Sequence, residues 1–282
     1  MTVLARTSDA MIPTSGGLRI YIRSWRPETT PRAAVAIVHG VKSHSGYYTW
    51  AAEQFVSHGL AVHALDLRGR GRSDGDRFYI ESMQDYLSDA DALVHHAQSR
   101  DPGCPLFLLG HSAGGVISTT YALEHQASLA GLICESFAFQ VYAPDFALAV
   151  VKGLSHLAPH AHVLDLKNED FSRDPAAVKF MNEDPLIAGE VQPTRTVAEL
   201  VHADERLKRD FPLITLPVLI MHGTADKVTR PSGSQLFYDA AGSADKTLKL
   251  YSGHAHDLLN DVGRDEVMAD IQAWIDRRIR AA

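Results

Sequence analysis

The chain has little of what marks several common protein classes. Its 282 residues include only two cysteines, Cys104 and Cys134, without the C-x-x-C spacing of zinc and redox sites. This excludes a disulfide framework, and we expect two free thiols. Lys and Arg number 27 against 34 Asp and Glu, which gives a net charge of -7. That balance argues against nucleic acid as the main partner and against a polybasic membrane anchor.

Long apolar runs are also absent. No stretch offers the roughly 18 uncharged apolar residues that a membrane-spanning helix needs. The first residues lack the basic region and apolar core of a secretory signal. We therefore expect a soluble, cytoplasmic protein whose ligands are small molecules, and the sequence leaves its oligomeric state open.

Short apolar runs alternate with helical patterns along most of the chain. Near-continuous runs of this kind predict an α/β fold with a mostly parallel central sheet and helices on both faces. Residues 18–25 alternate in polarity instead, which predicts an antiparallel edge strand. The helical spacing of Val267, Ile271 and Trp274 predicts a last helix that packs on the sheet. The apolar runs are residues 33–38, 60–65, 106–109, 129–134, 218–221 and 247–251.

The alternation of strands and helices stops between Phe137 and about Phe211. We interpret residues 137–211 as a helical cap, or lid, inserted into a hydrolase-like core made of residues 1–136 and 212–282. Such a cap would lie over the carboxyl ends of the strands, where ligands bind in open α/β folds. Its apolar stretch 137–157 fits a buried helix, the wall of an apolar tunnel or a surface that touches lipid.

The segment Gly110-His-Ser112-Ala-Gly114 joins a predicted strand to a predicted helix. A G-x-S-x-G sequence in that setting predicts a nucleophile elbow with the serine at its apex. A serine becomes a good nucleophile when a histidine takes its proton and a carboxylate orients that histidine. In this fold the acid should follow a late strand, and the histidine should follow the last strand.

Asp226 and His256 occupy those two positions. We assign Ser112 as nucleophile, Asp226 as orienting acid and His256 as general base. His254 competes for the role of base, because spacing within a loop does not choose between the two histidines. Glu135, at the end of the strand after the elbow, is the alternative acid.

Attack on a carbonyl carbon places negative charge on the carbonyl oxygen, which two backbone N–H groups can stabilise. One donor should be Ala113, directly after the nucleophile. The other should be Val41, in the loop that follows His39-Gly40.

With these motifs in order, the chain resembles the monoacylglycerol lipase and lysophospholipase branch of the α/β-hydrolases. The matching segments are residues 39–40, 44–48, 66–73, 110–114, 182–186, 222–226 and 251–256. The resemblance implies a serine hydrolase that cleaves carboxylic monoesters through an acyl-enzyme, with no metal or organic cofactor. It also allows transient contact of the cap with a lipid or membrane surface. Acyl transfer from the same intermediate and a non-catalytic ligand-binding protein are the alternatives.

The resemblance also places Ser43, His44, Tyr47 and Leu259 beside the alcohol part of the substrate. Characterised members hold the glycerol group with a glutamate, an arginine and a histidine at the positions of Ser43, Tyr47 and Leu259. Sites built to hydrogen-bond hydroxyl groups discriminate strongly, and apolar sites discriminate weakly. We therefore expect an alcohol group that is less like glycerol.

Two further segments look like binding motifs. Residues 68–73, Arg-Gly-Arg-Gly-Arg-Ser, lack the spacing of phosphate-binding loops, so we interpret them as a turn. His156, His160 and His162 are spaced like metal ligands, but no H-E-x-x-H accompanies them. We interpret these histidines as surface or cap residues and predict no metal site.

Overall fold

The computed structural model describes residues 5–279. The predicted core includes residues 1–4 and 280–282, which lie outside the described range. The strands are β1 Arg6–Pro13, β2 Arg19–Arg26, β3 Ala34–Val38, β4 Ala61–Leu65, β5 Leu106–His111, β6 Gly131–Glu135, β7 His162–Leu164, β8 Gln192–Pro193, β9 Val218–Gly223 and β10 Lys246–Tyr251. The helices are α1 Thr49–Ser57, α2 Met83–Arg100, α3 Ala113–His125, α4 Asp145–Leu154, α5 Pro175–Glu183, α6 Thr194–Asp210, α7 Pro231–Ala240 and α8 Arg264–Ile279.

Eight strands form one sheet in the order β1-β2-β4-β3-β5-β6-β9-β10. Within this sheet the neighbouring strands in the series β4-β3-β5-β6-β9-β10 are all parallel. The pairs β1 with β2 and β2 with β4 are antiparallel. Parallel neighbours bring the carboxyl ends of β3, β5, β6, β9 and β10 to one edge of the sheet. The prediction of a mostly parallel α/β fold is confirmed.

The predicted edge strand is antiparallel, but it is not at the edge. Ile22 in β2 pairs with Ala10 in β1 on one side and with Leu65 in β4 on the other. The edge strand is β1, which the sequence analysis missed. Its residues are exposed or only half-buried, so it carries no alternation of apolar and polar positions.

Helices cover both faces of the sheet, as the continuous apolar strands predict. In β3, Ala36 and Val38 face the core formed with α2, α3 and α7, whereas Val35 and Ile37 face the core formed with α1 and α8. The predicted last helix is α8, and its Trp274 is buried in that second core. Both cysteines are free, as expected.

Residues 137–211 lie between β6 and β9 and add no strand to the large sheet. They contain α4, α5, α6 and a small antiparallel pair of β7 with β8. None of residues 146–154 in α4 is buried, and Phe146 is 74% exposed, so of the three alternatives for this stretch α4 does not fit the buried helix. Neither α4 nor any other helix in the described range combines the length and apolar character that a membrane crossing requires.

Candidate active site

Ser112 lies in a sharp turn between β5 and α3. Its backbone has φ 56° and ψ -121°, a conformation that is strained for a residue with a side chain. The turn fits only because neighbouring positions lack side chains. A Cβ atom on Gly114 would lie 2.1 Å from the carbonyl oxygen of Val38, and one on Gly40 would lie 2.8 Å from the Cβ of Ser112. The predicted elbow is therefore present.

Asp226 and His256 form a buried pair at the same edge of the sheet. Asp226 follows β9, and His256 follows the neighbouring β10. The His256 Nδ1 lies 2.7 Å from the Asp226 Oδ2, within hydrogen-bond distance. A proton on Nδ1 donated to this carboxylate leaves Nε2 free to accept a proton.

Several groups hold the Asp226 carboxylate in place. Its Oδ1 accepts hydrogen bonds from the N–H groups of Val228 and Thr229, at 2.7 and 2.9 Å. The Thr229 hydroxyl donates to Oδ2 at 2.8 Å, and the His222 ring lies 3.0 Å from the same oxygen. Burial by itself would raise the pKa of Asp226, but His256 and His222 lower it well below its ordinary value. Asp226 is therefore ionised at neutral pH.

The hydrogen bond between Ser112 and His256 is not formed. Within residues 5–279, the His256 Nε2 is buried and has no hydrogen-bond partner. The His256 ring packs against that of His111, the residue before Ser112, with 4.9 Å between the ring centroids. The structure thus brings the loop of His256 against the turn that carries Ser112, and the His256 Nε2 has no hydrogen-bond partner there. Catalytic hydrogen bonds are often long before substrate binds.

The two alternative residues are placed differently. The His254 Nδ1 makes a hydrogen-bond contact with the carbonyl oxygen of Ser252, at 3.4 Å, and not with Asp226. The Glu135 Oε1 accepts a hydrogen bond from the Leu259 N–H at 3.1 Å, and not from His256. The histidine and the carboxylate that contact each other are therefore His256 and Asp226.

The two expected oxyanion donors are the backbone N–H groups of Val41, after β3, and of Ala113, directly after Ser112. Neither the Val41 N–H nor the Ala113 N–H donates a hydrogen bond to another described residue. His39 holds the peptide bond before Val41, because its Nδ1 lies 2.6 Å from the Gly40 carbonyl oxygen and its Nε2 accepts the Leu67 N–H at 3.0 Å. Burial, together with a nearby arginine, lowers the pKa of His39 to about 3, so the ring stays neutral in this role.

A buried cluster lies next to the triad candidates. His111, Glu135 and Asp257 each place a potential metal ligand within 4.8 Å of the others, and this is the one such group of three in residues 5–279. Burial, and then the nearby Asp257, raise the pKa of Glu135 well above its ordinary value. Burial likewise raises the pKa of Asp257 to about 6. A proton on Glu135 would remove one of the two negative charges of this cluster.

Residues 137–211 contact all three triad candidates. Ser112, Asp226 and His256 are 2%, 3% and 0% exposed. The contacts are the Ala138 N–H to the Ser112 carbonyl oxygen at 3.3 Å, the Tyr142 hydroxyl to the Asp226 carbonyl oxygen at 3.0 Å, and the Phe171 ring edge-on to the His256 ring at 5.1 Å between centroids. Sequence reasoning found none of these contacts, because no motif surrounds Tyr142 or Phe171.

The four residues expected beside the alcohol group are buried or nearly so. The His44 Nε2 lies 2.8 Å from the Asp184 carboxylate, and its ring packs edge-on against Tyr47. The hydroxyls of Ser43 and Tyr47 have no hydrogen-bond partner among the described residues. Leu259 is 1% exposed and lies in the turn after His256. The site therefore keeps two hydroxyl groups without partners among the described residues, and the nearby Asp184 carboxylate is paired with His44.

Comparison with known proteins identifies the family of the chain. The profile of the family described as serine aminopeptidase, S33 matches residues 29–263. The chain is 32% identical to a monoacylglycerol lipase of Mycolicibacterium smegmatis, over 92% of this chain and 94% of that protein. It is 31% identical to caffeoylshikimate esterase of Arabidopsis thaliana, over 98% and 87% of the two chains.

A solved structure of a monoacylglycerol lipase has a similar fold. The crystal structure of Paleococcus ferrophilus monoacylglycerol lipase superposes with a TM-score of 0.83 at 29% identity, and the match covers 92% of this chain and 99% of that one. The family match spans most of the chain, and the sheet order and the elbow agree with it. The chain is therefore an α/β-hydrolase and belongs to the serine aminopeptidase S33 family of hydrolases.

Proposed function

We propose that Ser112, Asp226 and His256 are a catalytic triad that hydrolyses carboxylic monoesters through an acyl-enzyme. The observation that carries this proposal is the 2.7 Å contact between His256 and Asp226, next to a strained serine at the same sheet edge. A family description that mentions a peptidase does not change the assignment, because the relatives reported above are named for ester substrates.

In the first half of the reaction, Ser112 Oγ attacks the ester carbonyl carbon and its proton passes to the His256 Nε2. The carbonyl oxygen becomes an oxyanion, which the N–H groups of Val41 and Ala113 stabilise. The oxyanion then re-forms the carbonyl, the bond to the alkoxy oxygen breaks, and His256 gives its proton to that oxygen. The alcohol leaves, and the acyl group remains on Ser112.

In the second half, a water molecule attacks the acyl carbon and gives a proton to the His256 Nε2. The same oxyanion site is used, and the bond to Ser112 Oγ breaks as the proton returns to that oxygen. The carboxylic acid leaves, and the serine is restored. Asp226 stays ionised and stabilises the protonated imidazole in both halves.

Residues 137–211 are proposed to be a cap over a core made of residues 1–136 and 212–282. The contacts of Ala138, Tyr142 and Phe171 with the triad support this division. Because the triad is almost fully buried, a substrate reaches Ser112 only when part of the cap moves. Exclusion of water by the closed cap strengthens the electrostatic interactions in the site.

The alcohol group of the substrate is proposed to be less polar than glycerol, or to carry fewer hydroxyls that need recognition. Ser43, Tyr47 and Leu259 supply two hydroxyls and one apolar side chain, without a charged group. The Asp184 carboxylate nearby is paired with His44. Monoesters of simple alkyl or aryl alcohols fit such a site.

The outer face of the cap is proposed to contact lipid or aggregated substrate for short periods. Phe146, Val150 and Leu157 are 74%, 63% and 87% exposed, and they lie on or just after α4. Exposed apolar side chains grouped in this way suit the surface of a bilayer or micelle.

The function is tested by labelling with a fluorophosphonate probe and by turnover of p-nitrophenyl butyrate. Ser112→Ala should lose the label and lower kcat by at least about 10,000-fold. Ser118→Ala, which removes a buried hydroxyl from α3, is the matched control and should keep both the labelling and the turnover. A Ser112→Ala variant that still labels and still turns over would overturn the assignment. Product analysis with added alcohol separates hydrolysis from acyl transfer.

A further inference from the structure

One contact from residues 137–211 reaches the loop that carries the proposed oxyanion donor. The Glu190 Oε1 accepts a hydrogen bond from the Lys42 N–H at 2.8 Å, across 148 residues of sequence. Lys42 has φ 52°, in the left-handed region that a lysine adopts only when its surroundings hold it there. The contact therefore fixes the peptide bond that follows Val41.

The Glu190 carboxylate is itself held by buried partners. The same Oε1 forms an ion pair with the Arg70 guanidinium and accepts a hydrogen bond from the Gln192 Nε2 at 2.7 Å. Arg70 also donates to the Gln192 Oε1 at 2.7 Å. Glu190 and Gln192 are 1% exposed and Arg70 is 2% exposed. Buried charges of this kind keep a fixed geometry because leaving either one unpaired is costly.

Both peptide bonds that flank Val41 are thus held. His39, from the core, holds the carbonyl of the Gly40–Val41 peptide bond. Glu190, from residues 137–211, holds the N–H of the Val41–Lys42 peptide bond. The direction of the Val41 N–H depends on both constraints, and one of them comes from outside the core.

We propose that Glu190 is a positioning residue, which holds residues 39–42 so that the Val41 N–H points at the reacting carbonyl oxygen. The inference rests on the proposed function, because an oxyanion forms only if Ser112 attacks an ester. It adds that the oxyanion site is complete only while residues 137–211 are docked. Arg70 acts through Glu190 by holding its carboxylate in place.

Two substitutions of Glu190 separate the position of the acceptor from its charge. Glu190→Gln keeps an oxygen at the same distance from the Lys42 N–H but removes the charge. Glu190→Asp keeps the charge but withdraws the carboxylate by one methylene. If the position of the oxygen that accepts from the Lys42 N–H matters, Glu190→Asp should lower activity more than Glu190→Gln does.

The matched control is Asp89→Ala. Asp89 is a fully buried carboxylate paired with Arg68 at 2.8 Å, and its polar contacts are with Thr14 and Arg68 and not with residues 39–42. Asp89→Ala therefore measures the effect of losing a buried ion pair with the turn of residues 66–73, which also contains Arg70. Glu190→Ala is compared with it, and all variants are assayed well below their unfolding temperatures.

The readouts are kcat, KM and the inhibition constant of a trifluoromethyl ketone, whose adduct with Ser112 places an oxyanion in the same site. Removal of one oxyanion donor costs about 100- to 1,000-fold in kcat, so a misdirected donor should cost about 10- to 100-fold. We expect that loss in kcat and in ketone affinity for Glu190→Ala and Glu190→Asp, with KM nearly unchanged. Glu190→Gln leaves Arg70 without its counter-ion and should lower the unfolding temperature, but its kcat and ketone affinity, like those of Asp89→Ala, should stay close to wild type.

Wild-type kcat and ketone affinity in Glu190→Asp would overturn the proposal, and so would a Glu190→Gln variant that is as impaired as Glu190→Asp. If Glu190→Ala does not fold, the order of Glu190→Gln and Glu190→Asp decides alone. Ser112→Ala is assayed in parallel. Turnover by Ser112→Ala marks failure of the proposed function, whereas an inactive Ser112→Ala with an unaffected Glu190→Asp marks failure of this inference only.

Discussion

The His256 Nδ1 lies 2.7 Å from the Asp226 Oδ2, and neither side chain is accessible to solvent. This pair fixes the ring so that Nε2 is the nitrogen left to take a proton. Its electrostatic consequence is the depressed pKa of Asp226, which keeps the carboxylate charged while the imidazole gains and loses a proton.

Asp226→Asn should lower kcat by about 10,000-fold with little change in KM. The amide would present an N–H to the His256 Nδ1, so the ring would keep its proton on Nε2 and could not accept one from Ser112. Steady-state kinetics with p-nitrophenyl butyrate measures the loss. Asp239→Asn, on the exposed surface of α7, is the matched control. Asp226→Asn activity within tenfold of wild type would remove Asp226 from the triad.

Glu135→Gln should change the pH dependence of stability. Burial raises the pKa of Glu135, so the folded state holds a proton on this carboxyl at pH values where the unfolded chain has lost it. The wild type therefore loses stability from this group as pH rises above about 4.3, the ordinary pKa of glutamate. Glutamine does not ionise and keeps an acceptor for the Leu259 N–H.

The free energy of unfolding of both proteins in urea, measured from pH 4 to pH 8, checks this prediction. Stability of Glu135→Gln relative to wild type should increase as pH rises through that range. A constant difference, or one that decreases with rising pH, would mean that Glu135 is ionised in the folded protein.

Cys134 should resist alkylation in the folded protein. Its side chain is fully buried in β6, and burial raises the pKa of its thiol to about 12, so almost no thiolate is present at pH 8. Peptide mass spectrometry after iodoacetamide treatment should find Cys134 modified only when guanidinium is present, with activity unchanged by the reagent. Rapid modification of Cys134 in native buffer, together with loss of activity, would contradict the burial described.

The alcohol part of the substrate should be only weakly discriminated. For one acyl chain, kcat/KM of the glycerol monoester and of simple alkyl monoesters should agree within about tenfold, because Ser43, Tyr47 and Leu259 offer no charged group to hold a glycerol hydroxyl. A panel of such esters, assayed as monomers below their aggregation limits, measures the ratio. Preference for the glycerol ester by several orders of magnitude would refute the role given to Ser43, Tyr47 and Leu259.

The positions of the triad candidates could be predicted because each follows an apolar strand. The strands before Ser112, Asp226 and His256 are parallel and lie within one half of the sheet, so residues at their carboxyl ends meet. The choice of His256 over His254 needed the structure. Two residues of loop decide which ring faces Asp226, and no periodic pattern encodes that choice.

Contacts between distant segments could not be predicted. Glu190 and Lys42 are far apart in the sequence, and neither belongs to a motif, so only the packed structure brings them together. The edge strand β1 escaped detection for another reason. None of its residues is buried, and a strand without a buried face has no alternating pattern to recognise.

The central claim is that Ser112 carries a covalent acyl group during turnover. Aryl carbamates test it most directly, because the carbamoyl group that they leave on a nucleophile hydrolyses slowly. Treatment with a p-nitrophenyl carbamate should release one equivalent of p-nitrophenol, abolish activity and leave the carbamoyl mass on the peptide that contains Ser112. Inactivation with the added mass on any other residue, or release of p-nitrophenol with no adduct, would contradict the account.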